Sequence, residues 1–307
     1  AVHQGKAKGT GDGSSWANAA GNLQTVIDAA QAGDEIWVAQ GEYKPEKLIK
    51  TNKKTSKAFI LKDGVSLYGG FAGTETSKDA REMETVANVS VCKTATILNA
   101  DDDVADSWVR AIEPGSSSRY TWDMETSSGK QWVKGTNGNS THVIYCGSTF
   151  AQKTEINGFT LKGANANVWN VKAYGGAVYA LGNVHISNCR ILENSAYFTA
   201  ESANDSNSYG GAVYLDANGE GSISNCYFES TYCHSSYGNG VGGAVYVKNG
   251  TVDNCYFHNC VASDFAGAVY AASSKVSNCY AEDCYAGAGG AFYIDETSSI
   301  TGSVANS

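Results

Sequence analysis

The residues of this chain whose types and spacing could do chemistry fall into three groups: a dense acidic run, a set of aromatic side chains, and nine cysteines. Asp101-Asp102-Asp103 is the only dense acidic run. Clustered carboxylate oxygens suit a hard cation such as calcium, so these three are candidate metal ligands. The favoured reading is a solvated turn after Thr96-Ile97-Leu98. Asn204-Asp205-Ser206-Asn207 reads as a flexible loop tip. Tyr179, Tyr214, Tyr246, Tyr270 and Tyr293 occupy one place in a repeated phrase, with Tyr227, Tyr256 and Tyr280 on another face. Flat aromatic faces stack on sugar rings, and stacked tyrosines also stabilise neighbouring strands. Trp108, Trp122 and Trp132 sit in one polar stretch, and Trp169 follows it; a tryptophan there either packs over the coil flank or binds. The candidate ligand-binding residues are therefore Trp108, Trp122, Trp132, Trp169, Tyr179, Tyr214 and Tyr246. No residue is assigned as catalytic. The cysteines and histidines lack the Cys-x-x-Cys or paired-His spacing of a zinc site.

The elements that must position these residues are legible as a repeat. Gly175-Gly176-Ala177-Val178-Tyr179 returns as Gly210 to Tyr214, Gly242 to Tyr246, Ala266 to Tyr270 and Gly289 to Tyr293. Between copies lies Ile186-Ser187-Asn188-Cys189, then Ile223 to Cys226, Val252 to Cys255 and Val276 to Cys279. Two alternating phrases define a solenoid. The steps from Ala177 to Ala212, Ala244, Ala268 and Ala291 are 35, 32, 24 and 23 residues. The short steps give the bare unit, which suits a coil of three short strands. Period-two alternation in Cys226-Tyr227-Phe228 and Cys255-Tyr256-Phe257 places Tyr outward and Cys inward. Cys189, Cys226, Cys255 and Cys279 are thus expected at inward strand positions as free thiols. Cys260 and Cys284, one coil apart in one column, are the best candidates for a disulfide.

Asn188, Asn225, Asn254 and Asn278 form a column that begins with Gly158. Exchange between Asn and Gly predicts a left-handed corner. The longer steps place insertions between the Asn-Cys phrase and the next Gly-Gly-Ala phrase, so long loops emerge side by side at one edge, a frequent binding face. Near the N-terminus Leu23, Val26, Ile27 and Ala30 have helical spacing, with Ser14 or Ser15 available to cap and Gly33 following. Glu35 to Ala39 reads as a strand closed by Gly41. The helix is expected to cover the end of the solenoid. Residues 1–45 form that cap, and 46–307 form the coils, with an insertion at about 102–140, in one continuous domain.

On these residues the chain resembles the bacterial right-handed parallel β-helix surface proteins of pectin-lyase-like fold. The resemblance is carried by Gly11-Asp12-Gly13-Ser14-Ser15-Trp16, Gly33 to Ala39, Gly41-Glu42-Tyr43-Lys44-Pro45, Leu67 to Glu75, Thr96-Ile97-Leu98 and Ile156 to Leu161. The later phrases are similar to the Gly-Gly-Ala-Ile and Phe-x-x-Asn repeats of polymorphic outer-membrane adhesins. Here Ile191 to Asn194 fits Phe-x-x-Asn loosely, and Cys260 and Cys284 replace the Asn. The resemblance implies an all-β right-handed parallel β-helix at the cell surface or secreted, active in adhesion or glycan binding. Enzymes of that fold act on polysaccharides, but the Asn-Thr-Asp, Asp-Asp, His-Gly and Arg-Ile-Lys set of pectin hydrolases is missing as a set. No arginine among Arg81, Arg110, Arg119 and Arg190 recurs beside an acidic cluster in the repeats.

Composition agrees. A net charge of −9 with no basic run argues against nucleic acid, and no apolar stretch approaches the roughly 18 residues of a membrane span. No signal peptide is visible, as expected of a mature or trimmed form. The last residues, Ile300 to Val304, read as a further coil beginning, which predicts an end-to-end contact or downstream sequence. Two functions follow: a non-catalytic adhesin or glycan-binding solenoid is favoured, and a polysaccharide lyase or glycoside hydrolase is the alternative. Polysaccharide or host glycan is the expected partner, with no cofactor required except calcium if Asp101 to Asp103 bind it.

Overall fold

The computed structural model describes residues 1–3, 7–103, 107–109, 133–135, 138–166, 173–198, 207–235 and 238–306. The chain is a parallel β-helix. A 13-stranded sheet and an 8-stranded sheet run along its length, and two three-stranded sheets lie beside them. The Gly-Gly-Ala-Val-Tyr phrase opens a strand of the larger sheet in each coil, as in Val213–Asp216, Val245–Lys248 and Val269–Ala272. After a turn the chain re-enters the same sheet with the Asn-Cys phrase, as in Thr251–Asp253. It then bends into the 8-stranded sheet with Tyr256–His258. Identical residues pair in register: Val213 with Val245, Val245 with Val269, and Phe228 with Phe257.

The bare coil is not three strands, as the spacing suggests, but four short segments, the last being Val261–Ala262. The insertions are not simple loops either. Ser195–Phe198, Tyr232–Ser235 and Val261–Ala262 stack as one small parallel sheet, and Ala173–Tyr174, Ser208–Tyr209 and Gly240–Val241 as the other. A second core of small side chains, Ala166, Ala173, Ala196, Cys233 and Ala262, fills the space they enclose.

The repeated glycines are explained by the stacking. The first glycine of each phrase turns the chain with positive φ (+62° at Gly210, +74° at Gly242), and only Ala266 takes this place without being glycine. The second faces the next coil: a Cβ on Gly211 would lie 2.1 Å from the Gly243 carbonyl oxygen, and one on Gly243 would lie 2.1 Å from that of Gly267. The Asn column lies in the left-handed region, with φ between +48° and +56° for Asn188, Asn225, Asn254 and Asn278 and +81° at Gly158. Only one rung bonds amide to amide, Asn254 Nδ2 to Asn225 Oδ1 at 2.6 Å. Asn188 donates to the Ser90 carbonyl and Asn278 to Asp253.

All nine cysteines are free and buried. Cys189, Cys226, Cys255 and Cys279 point inward as expected, but from the residue just past the Asn corner rather than from within a strand. Cys260 and Cys284 are not bridged. Each thiol donates to the carbonyl two residues back (His258 at 3.4 Å, Glu282 at 3.4 Å), and Cys284 also reaches Phe257 O at 3.7 Å. Asn194, in the same column, spans the equivalent carbonyls, Leu192 at 2.8 Å and Leu161 at 3.0 Å. The thiol thus takes over a buried donor role, which preserves polar satisfaction where the Asn of the repeat is lost.

At the N-terminal end the helix is Leu23–Ala29, with Leu23 and Ile27 in the core and contacts to strands Glu35–Ala39 and Phe59–Ile60. Its cap is Asn22, whose Oδ1 accepts from Thr25 N at 2.9 Å, not Ser14 or Ser15, which lie too far upstream. At the other end the inward column Ile186, Ile223, Val252, Val276 finishes at Ile300, which is 37% exposed. No helix among the described residues is long and apolar enough to cross a membrane.

Candidate functional site

The phrase strands build one continuous feature on the outer face of the larger sheet. Tyr145, Tyr179, Tyr214, Tyr246, Tyr270 and Tyr293 share one register position. Their ring centroids are 5.3, 5.5, 5.3, 5.3 and 5.0 Å apart in turn, with interplanar angles of 4° to 16°. His142 packs beside Tyr145 and Tyr179, 5.4 and 5.9 Å from their rings, anchored by Nδ1 against the Gly175 carbonyl at 2.7 Å. Tyr179, Tyr214 and Tyr246 are therefore brought together as expected from the sequence. Tyr145 and His142 are additions, because their coil reads Thr141-His142-Val143-Ile144-Tyr145 and lacks the Gly-Gly-Ala signature. The apolar pair Val143-Ile144 before an aromatic residue was the available signal.

The stacking decides what the ladder offers. Near-parallel rings one strand spacing apart spend their faces on each other, so a ligand alongside the inner rungs meets ring edges and hydroxyls. Among the described residues none bonds any of the six hydroxyls. Burial, reinforced by neighbouring tyrosines and by Asp216, pushes Tyr179 and Tyr246 up to about 12 and Tyr214 further in the same direction. These three rungs thus stay protonated, and each is both donor and acceptor. One flank is a second aromatic column. Tyr174 and Tyr209 stack at 5.5 Å and pack edge-on against Tyr214 (4.7 Å) and Tyr246 (5.0 Å), and Phe265 packs edge-on against Tyr293 (5.3 Å). Two residues beyond the ladder the outward column carries the ion pair of Lys248 and Asp216 at 3.0 Å.

Two other aromatic groups differ. Tyr227, Tyr256 and Tyr280 stack on the 8-stranded sheet, but Tyr227 donates to Glu229 at 3.2 Å and Tyr256 donates to Glu282. Near the first coils, Trp37 stacks on Phe71 at 4.9 Å, and Trp16 lies 6.3 Å from Trp37 with its Nε1 donating to Glu75 O at 2.9 Å. Beside them Lys78 Nζ sits 4.3 Å over Tyr68 and pairs with Glu35, and Tyr68 donates to Glu155 at 2.7 Å. Trp16 and Trp37 were legible only as parts of the N-terminal motifs, not as a pair.

Trp108 lies in the strand Ser107–Val109, paired antiparallel with Val133–Gly135. Trp122, Trp132 and Trp169 lie outside the described residues. In the acidic run, Asp103 pairs with Lys44, Asp103 N donates to Asp101 Oδ1 at 2.9 Å, and Asp102 N donates to Asn139 Oδ1 at 3.2 Å. These are the bonds of a tied turn. Among the described residues no three His, Cys, Asp or Glu side chains are grouped to hold a metal.

Electrostatics bear on the catalytic alternative. A general acid for glycoside cleavage needs a carboxyl held above its ordinary range. Burial alone pushes Glu155 up, but hydrogen bonds from Lys153 and Tyr68 bring it below that range. Asp28, Glu75 and Asp295 are also lowered, Asp28 and Glu75 because hydrogen bonds outweigh their burial and Asp295 chiefly by its bond from Ser298. Each is thereby held as an anion rather than as a proton donor. Comparison with family models, curated proteins and solved structures finds no match for the chain.

Proposed function

We propose that this protein is a non-catalytic binding solenoid of the cell surface or extracellular space, an adhesin-type module that takes a neutral linear polysaccharide along its tyrosine ladder. The observation that carries the reading is the row of six phenol rings, with centroids 5.0 to 5.5 Å apart, whose hydroxyls have no partner among the described residues. An evenly spaced comb of groups that both donate and accept suits a ligand that is itself periodic and rich in hydroxyls. The overall charge of −9 and Asp216 beside the ladder disfavour polyanions.

The test is affinity for neutral and uronate oligosaccharides of increasing length, with and without calcium, alongside an assay for new reducing ends or unsaturated products. Affinity should rise with length for the neutral series and level off when the ladder is filled. Tyr214→Phe with Tyr246→Phe keeps the stack and removes two hydroxyls; it should weaken binding by about tenfold or more. Unchanged affinity in that variant would remove the ladder from consideration. Product formation would favour the lyase or hydrolase alternative and direct attention to Glu35, Lys78, Tyr68 and Glu155 beside the Trp16–Trp37 pair.

A further inference from the structure

A cleft of about 420 Å³ lies between the capping helix and the first coils. Its volume is within the range of small-molecule sites, roughly 300–1,000 Å³. Leu23, Tyr43 and Phe59, all buried, supply apolar lining, and Asn22, Glu42, Lys44 and Glu46 supply polar groups. Most of these polar groups are already fixed. Glu42 accepts from Asn99 Nδ2 at 2.6 Å, and Lys44 donates to Asp101 O at 2.9 Å and pairs with Asp103. Gln24, also lining the cleft, is held at both ends of its amide by Ile60, at 2.8 and 3.1 Å.

Two groups are left over. The Glu46 carboxylate has no partner among the described residues. Asn22 uses only its Oδ1, for the helix cap, so its Nδ2 donor is uncommitted among the described residues. The cleft therefore combines rigid walls, an apolar surface, one free donor and one free carboxylate acceptor. The rim carries Glu42, Glu46 and Lys44 together, so it focuses no single strong charge for a simple ion.

We infer that this cleft is a second binding site, separate from the tyrosine ladder, and that it takes a neutral hexopyranose. A sugar ring offers a C–H face to the apolar lining. Its hydroxyls can donate to Glu46 and accept from Asn22 Nδ2. The ladder would hold a chain along the solenoid axis, whereas the cleft holds one residue.

The experiment is amide-resolved NMR titration of the whole chain with four probes: the methyl glycosides of glucose, galactose and mannose, and N-acetylglucosamine. At least one should give saturable shifts at residues 21–24 and 42–46. Glu46→Gln weakens the acceptor without changing size. Asn22→Asp keeps a helix cap while replacing the donor by an acceptor. Each should weaken that sugar about tenfold or more, whereas the ladder variant Tyr214→Phe should leave it unchanged. The inference is overturned if no probe gives saturable shifts there, if both cleft variants bind like the parent, or if butylamine binds the cleft as well as the best sugar. Sugar binding in the cleft with a silent ladder would sink the proposed function and leave this site standing.

Discussion

Two histidines illustrate how burial at single residues sets the chemistry of the coil. His142 packs beside Tyr145 and Tyr179 of the tyrosine stack, and His234 stacks against Tyr197 and Tyr232 at 5.1 and 5.9 Å. Burial pushes both down to about 4 from 6.5, and His234 Nδ1 has no partner to stabilise a charged ring. Between those values the unfolded chain binds more protons than the folded one. Stability is therefore full above pH 6.5 and is lost progressively as pH falls toward 4, by about 3 kcal/mol at most per histidine. Urea midpoints measured across that interval should fall with pH, and His234→Phe, which keeps the ring stack, should reduce the slope. A slope unchanged in the variant would show that other groups carry it. At this scale the sequence revealed residue types and their columns. It could not reveal which tyrosine hydroxyls are committed, since Tyr214 and Tyr256 differ only in whether a glutamate from a neighbouring position reaches them.

Corners and glycines are the most legible elements. Substitution of Gly158 by Asn in later coils has one physical reading, tolerance of positive φ, and the structure bears it out. Asn254→Ala should therefore lower stability by about 1–2 kcal/mol through left-handed strain and loss of its bond to Asn225, while Asn254→Gly should cost less. Equilibrium denaturation decides this, and the reverse order would contradict the corner's strain. The side sheets were not legible. Ser208–Tyr209 and Gly240–Val241 are two residues long, too short to display any period, and gain their order only by stacking on the coil below. The helix is legible in its apolar face but its start is not, because Ser14 and Ser15 resemble caps in isolation, while Asn22 is the residue whose side chain reaches Thr25.

For the whole molecule, stacking means each coil is held by its neighbours alone, and stability is a sum of local and nearest-neighbour terms. An inner coil has two neighbours; the coil containing Ile300 has one among the described residues. In the 307-residue chain by itself opening should therefore start there and be rarest in the middle. Native-state alkylation followed by mass spectrometry should label Cys279 and Cys284 at least about tenfold faster than Cys226 and Cys255; equal rates would mean the solenoid opens as one unit. The placement of the thiols makes this more than a check of one end. Cys146, Cys189, Cys226, Cys255 and Cys279 all lie in the main core and follow one another along the chain, so each acts as a clock for the layer in which it is sealed. Read together they report where a pull or a bound ligand tightens the stack and how far along the axis that tightening reaches, without any label having to be engineered in.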